Sequence, residues 1–226
     1  MKALDLFCGA GGVTVGLQRA GWEVTGVDIE AYPDYPGPLV VGDVLRLDRD
    51  WIASFDFVWA SPPCQAYAKA TYGPATQAVD LIPQVRQLLA HCPMTCIENT
   101  MLAPLRRDLI LEGKDFGLAT RRRRAFEIKG FECAYPLLMA PMIKYEPIYP
   151  YARGGVDKRY REHPRKRIGR PAQTTILELE YGLDCHHIKT GTIGQRRIAL
   201  NNALPPVYAA WIGKAASQRF GLVHSI

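Results

Sequence analysis

Lys2-Ala3-Leu4-Asp5-Leu6-Phe7-Cys8-Gly9-Ala10-Gly11-Gly12 opens the chain and decides its fold. The mostly apolar run Lys2–Phe7 suits a short strand, and the glycines that follow suit a tight turn. Val13, Leu17 and Ala20 then recur at helical spacing until Gly21 closes the helix. The same alternation continues through residues 1–100. Val24–Asp28, Leu39–Val41, Phe55–Ala60 and Thr95–Glu98 read as strands, while Leu81, Val85, Leu88, Leu89 and Cys92 mark a helix face with Pro83 in its first turn. Strands alternating with helical crossovers predict an α/β architecture built on a doubly wound, mostly parallel sheet. Ligands of such sheets bind at the carboxyl ends of the strands, where Gly9, Asp28, Asp43, Cys64 and Glu98 all fall.

Beyond Gly130 the periodicity fades. Pro136, Pro141, Pro147, Pro150, Pro164 and Pro171 recur among tyrosines and basic residues, and Leu137, Leu138, Met139, Met142, Ile143 and Ile148 supply a small core. Pro205-Pro206 then opens a helix in which Tyr208, Ile212 and Ala215 share a face. The expected organisation is a catalytic domain over 1–129, a small irregular region over 130–189, and a carboxyl-terminal segment over 190–226 that packs back on the first.

With 226 residues, 48% of them hydrophobic, the chain suffices for a real core, and no apolar run approaches membrane-spanning length. The amino terminus turns acidic at Asp5, too soon for a signal peptide, and the six cysteines show no paired framework. A reduced cytoplasmic protein is the expectation, and a monomer is expected as well. Residues 121–170 hold 14 Lys/Arg against 5 Asp/Glu, whereas the remainder holds 14 against 17. A basic stretch of that density can be a mere solvated face, but beside a candidate active site it favours a polyanion such as nucleic acid.

At the glycine turn, backbone amides and a helix amino end face a polar or anionic ligand. Asp28, ending the second strand, suits a ribose diol, and Asp43, ending the third, suits an exocyclic amine; together they fit adenosine. No phosphate-binding lysine motif accompanies them.

Five segments in this order, Asp5–Gly12, Ser61-Pro62-Pro63-Cys64-Gln65, Ile97-Glu98-Asn99-Thr100, Arg121–Arg124 and Asn202-Ala203-Leu204-Pro205-Pro206, resemble the motifs of the C5-cytosine DNA methyltransferases. The resemblance implies a Rossmann-like fold that uses S-adenosyl-L-methionine (SAM), with residues 130–189 as a target-recognition region. By it, Phe7, Gly9, Ala10, Gly11, Gly12, Asp28, Ile29, Asp43, Val44 and Asn202 would line the cofactor site. Cys64 would add as a thiolate to carbon 6 of a flipped-out cytosine, turning carbon 5 into a nucleophile for the methyl group. A free thiol ionises near pH ~8.5, so a positive environment, supplied by Arg122 and Arg124, would help. Glu98 would act at cytosine nitrogen 3, Asn99 would orient the loop, and Arg124 would aim at the carbonyl oxygen.

Gln65–Tyr72 would be the loop closing behind the flipped base, with Gln65 and Tyr67 touching DNA, and Lys158, Arg159, Arg165, Lys166 and Arg167 would grip phosphates of double-stranded DNA. Cys8, Cys92, Cys96 and Cys133 read as small buried hydrophobes. The chain departs from the family pattern at Ile29, where a large aromatic is usual, at Thr120 and Asn201, and in the short interval of 26 positions from Glu98 to Arg124. Three other readings compete. A tRNA cytosine-5 methyltransferase carries nearly the same motifs, but with a Cys-Phe-Thr segment that this chain lacks. An inactive DNA-binding relative would not need Cys64, Glu98, Arg122 and Arg124. A zinc knuckle at Cys185-His186-His187, with or without His163, fits no standard spacing, and no metal is expected.

Overall fold

In the computed structural model, residues 1–32, 34–67, 79–118, 122–136 and 203–221 are described. Seven strands form one sheet in the order β3-β2-β1-β4-β5-β7-β6. They are β1 (Lys2–Leu6), β2 (Glu23–Asp28), β3 (Leu39–Val41), β4 (Phe57–Ala60), β5 (Thr95–Asn99), β6 (Leu109–Leu111) and β7 (Arg124–Lys129). The first five pair in parallel, whereas β7 runs antiparallel to both β5 and β6. The expected doubly wound, mostly parallel sheet is therefore present, with an antiparallel edge pair that periodicity does not reveal.

Alternation along the strands sorts side chains onto two faces. Ala3, Val24, Phe57, Trp59, Cys96, Phe126 and Ile128 pack with α1 (Gly12–Arg19) and the carboxyl-terminal helix. Leu4, Leu6, Val27, Val58, Ala60, Ile97 and Ala125 pack on the other side with Ile52 of α2 (Arg49–Ala53) and with Ile82, Val85 and Leu88 of α3 (Ile82–Leu88). Pro83 lies in the first turn of α3, as the spacing predicts.

The carboxyl-terminal helix, α4 (Pro206–Ser217), lies close against α1. A Cβ on Gly16 would sit 2.1 Å from the Pro206 carbonyl oxygen, so only glycine permits this approach. Trp22 Nε1 donates to the Gly213 carbonyl across the same junction at 2.8 Å. Tyr208, Ile212 and Ala216 are fully buried, so Ala216 rather than the expected Ala215 completes the inner stripe.

A buried polar cluster sits beneath α1. Asp5 is fully enclosed and accepts from Thr14 Oγ1 at 2.8 Å, and the Tyr35 hydroxyl reaches both. Burial raises the Asp5 carboxyl to about 7, against the lowering effect of those hydrogen bonds. Its Oδ1 has no partner among the described residues.

Candidate active site

Register aligns the working end of the sheet. Leu6 pairs with Ala60, and Ala60 with Ile97, so Phe7, Ser61 and Glu98 step off the same carboxyl edge. Because β7 is antiparallel to β5, its amino end lies at that edge too. Glu98 is opposite Phe126, which leaves Arg124, two residues before it, on the same face. Arg124 Nε meets Glu98 Oε1 at 2.9 Å, with side chains only 15% and 10% exposed. At that exposure the pair is largely shielded from solvent, unlike a surface ion pair.

Cys64 lies in the loop leaving β4 and is half-buried. Ser61 N donates to the Leu6 carbonyl at 3.1 Å, and Asn99 Nδ2 donates to the Pro62 carbonyl at 2.9 Å. Asn99 thus holds the loop to β5, in keeping with its expected orienting role. Past Cys64, Tyr67 N returns to the Cys64 carbonyl at 3.0 Å, and the Tyr67 hydroxyl donates to Asp80 Oδ1. Burial and that neighbouring carboxylate raise the Tyr67 phenol above its ordinary range. Gln65 is exposed.

Arg122 is buried just before β7, while Arg123 is exposed. The Tyr208 hydroxyl donates to the Arg122 carbonyl at 3.0 Å, which ties α4 to the arginine segment.

At the other end of the same edge, the glycine turn is held by Asp28. Its Oδ2 accepts from Gly9 N at 2.9 Å and its Oδ1 from Glu30 N at 3.1 Å. Phe7, Gly9 and Gly11 take positive φ, and left-handed Gly11 precedes α1 without a side-chain cap. A Cβ on Gly9 or Gly42 would meet nothing, so open space flanks the two acids. On Gly12 a Cβ would lie 2.4 Å from the Leu204 carbonyl oxygen, so this glycine packs inward instead. Val44 is buried, Phe7 and Ala10 are half-buried, and Ile29 is 72% exposed beside Asp28. Asp43 Oδ1 accepts from Leu45 N at 2.9 Å, and its Oδ2 lies 3.5 Å from Arg46. An open cradle with acids at two strand ends and an uncapped helix fits an adenosyl group.

Cys8, Cys92 and Cys96 are buried, and burial pushes each thiol up, as expected of inert core cysteines. Cys133 is half-buried, its thiol pushed up to about 12 by burial. Asn202, Lys158, Arg159, Arg165, Lys166 and Arg167, the rest of the expected target-recognition region from residue 137 on, and Cys185-His186-His187 lie outside the described residues. Asp80 and Tyr208 join the site without a motif to announce them. Only the helical spacing around Tyr208 hints at its burial, and nothing local marks Asp80.

Residues 1–91 match the model of the family described as C-5 cytosine-specific DNA methylase. The Type II methyltransferase M.FnuDI of Fusobacterium nucleatum is 31% identical over 77 residues, which are 31% of this chain and 22% of that protein. The chain thus matches less than a quarter of that relative's length. Among solved structures, the S. pombe Dnmt2 methyltransferase superposes with a TM-score of 0.64 at 12% identity, over 98% of this chain and 100% of that one. The Entamoeba histolytica methyltransferase EhMeth gives 0.63 at 13%, over 97% and 98%. The solved structures share this chain's fold, and the sequence matches, confined to part of the chain, show a similarity to the C5-cytosine methyltransferases over that part.

Proposed function

We propose that this protein transfers a methyl group from SAM to carbon 5 of a flipped-out cytosine in double-stranded DNA. The observation that carries the reading is the 2.9 Å Arg124–Glu98 pair, set on the sheet edge from which the Pro62-Pro63-Cys64 loop also departs. Ring addition at carbon 6 needs a nucleophile on one side and hydrogen-bonding groups at nitrogen 3 and the carbonyl oxygen on the other. Cys64 supplies the first, Glu98 and Arg124 the second, and Arg122 adds positive charge near the thiol.

Phe7, Asp28, Asp43 and Val44, with the glycine turn and Asn202, would hold SAM, which supplies an electrophilic methyl when bound. Asp28 would accept from the ribose while keeping the turn closed through Gly9. Residues 1–129 would form the catalytic domain, 130–189 would recognise the target, and 190–226 would close the fold; the protein would act as a cytoplasmic monomer. A tRNA cytosine is the second reading, since the motifs also resemble those of tRNA cytosine-5 methyltransferases.

The test uses duplex DNA and tRNA carrying 5-fluorocytosine, because fluorine at carbon 5 blocks the final elimination. With SAM, the wild-type protein should form a denaturation-resistant adduct with the DNA, and Cys64→Ala should form none while still binding SAM. Adduct formation with tRNA alone would reverse the choice of substrate. An adduct retained by Cys64→Ala would remove Cys64 from the chemistry.

A further inference from the structure

Cys64 sits in a loop pinned on its sheet side, since Asn99 Nδ2 donates to the Pro62 carbonyl at 2.9 Å. Such a pin fixes where the loop starts but leaves the direction of its second half open. That half is a turn, closed by Tyr67 N on the Cys64 carbonyl at 3.0 Å. From this turn Tyr67 packs against the apolar cluster that includes Ile82, Val85 and Leu88 of α3. Its hydroxyl donates to Asp80 Oδ1, and the same oxygen accepts from Ile82 N at 2.9 Å at the start of α3. Asp80 is thereby held by the helix and holds the tyrosine in turn.

We propose that Tyr67 and Asp80 are positioning residues, a clamp that joins the Cys64 turn to the amino end of α3 and fixes the aim of the thiol. The proposal rests on the catalytic reading of Cys64 above. It assigns the Tyr67 hydroxyl to the protein rather than to DNA. Two pins on one cysteine loop, Asn99 from β5 before Cys64 and Asp80 just ahead of α3 after it, leave the turn little freedom. Nucleophilic addition depends steeply on such aim, and a displacement of about 1 Å can cost on the order of a hundredfold in rate.

The test compares Tyr67→Phe, Asp80→Ala, Asp80→Asn and the Tyr67→Phe/Asp80→Ala double variant of the full chain. Tyr67→Phe and Asp80→Ala should each lower kcat by about tenfold or more with KM for SAM and for DNA nearly unchanged. Asp80→Asn keeps an oxygen that can accept from both Tyr67 and Ile82, so it should restore most of the rate. The double variant should be no slower than the worse single one, because both remove the same hydrogen bond. Amide exchange at the Cys64–Tyr67 turn, which needs no substrate, should quicken in Tyr67→Phe and Asp80→Ala but not in Asp80→Asn.

Unchanged exchange in Tyr67→Phe would overturn the clamp. A loss confined to KM for DNA would overturn it too and return Tyr67 to the DNA surface. If wild-type protein methylates no cytosine, the catalytic reading fails on its own, while exchange still reports whether the clamp exists.

Discussion

The Tyr208 hydroxyl in α4 donates to the Arg122 carbonyl at 3.0 Å, joining this carboxyl-terminal helix to the arginines that enter β7. The two residues are 86 positions apart, and both are buried. Through this bond the carboxyl-terminal helix, itself seated on α1, fixes the approach to Arg124 and Glu98. One helix thus touches both halves of the site.

Tyr208→Phe keeps the ring in place and removes only the donor. The buried carbonyl loses a partner, and the fold should lose about 1–2 kcal/mol in urea titrations. Turnover should fall further than that stability loss explains, because Arg122 and Arg124 lose a support. A variant as fast as wild type at saturating substrates would show that α4 stabilises the fold without tuning the site.

Glu98→Gln and Arg124→Ala should separate from Asp28→Ala in kinetics. On the proposed mechanism the first two would remove contacts that strengthen as carbon 6 is attacked, so each should lower kcat by roughly a hundredfold while SAM affinity holds. Asp28→Ala releases Gly9 N and would remove the proposed ribose acceptor, so it should chiefly weaken SAM binding. Isothermal titration with SAM and single-turnover rates check both halves, and a Glu98→Gln protein that lost SAM but kept its rate would reverse the roles.

Asp5 gives the fold a pH dependence of known sign. Its carboxyl rises from 3.8 in the open chain to about 7 in the fold, so folding favours the protonated form. The stability it contributes is present in full below the lower value, falls as pH rises, and is lost once pH passes the upper one. The total should be on the order of a few kcal/mol. Asp5→Asn cannot ionise, so the wild-type advantage over it should decline between these values and then level off. Denaturant midpoints of the two proteins from pH 4 to 8 measure it; parallel curves would mean that Asp5 stays ionised in the fold.

The basic stretch should act on affinity rather than on sequence choice. Residues 153–170 carry eight Lys/Arg against two acids, and a run this dense suits phosphates. Replacing Arg165, Lys166 and Arg167 with alanine should weaken binding to all duplexes and flatten its salt dependence, leaving the methylated motif unchanged. The motif itself should be short, about two to four base pairs, since each bidentate base contact discriminates by only ~1–3 kcal/mol. Methylation sequencing of an expressing host reads both, and a motif of six or more fixed bases would contradict this view of the insert.

By itself the sequence determined the class of fold, because strand and helix periods are local and their alternation over residues 1–100 demands parallel crossovers. It also determined which residues end strands, so Asp28, Asp43, Cys64 and Glu98 could be placed on one edge before any contact was known. Tertiary structure alone decided the rest. The direction of β7 leaves no mark in a six-residue run, yet only its antiparallel course sets Arg124 beside Glu98. Ala216 rather than Ala215 faces inward because α4 is turned by its contact with Gly16, a partner at the other end of the chain that no helical period encodes. Asp80 was invisible for the same reason: its meaning lies in a hydrogen bond to Tyr67, and a pairing between distant side chains exists only once the chain has folded around it.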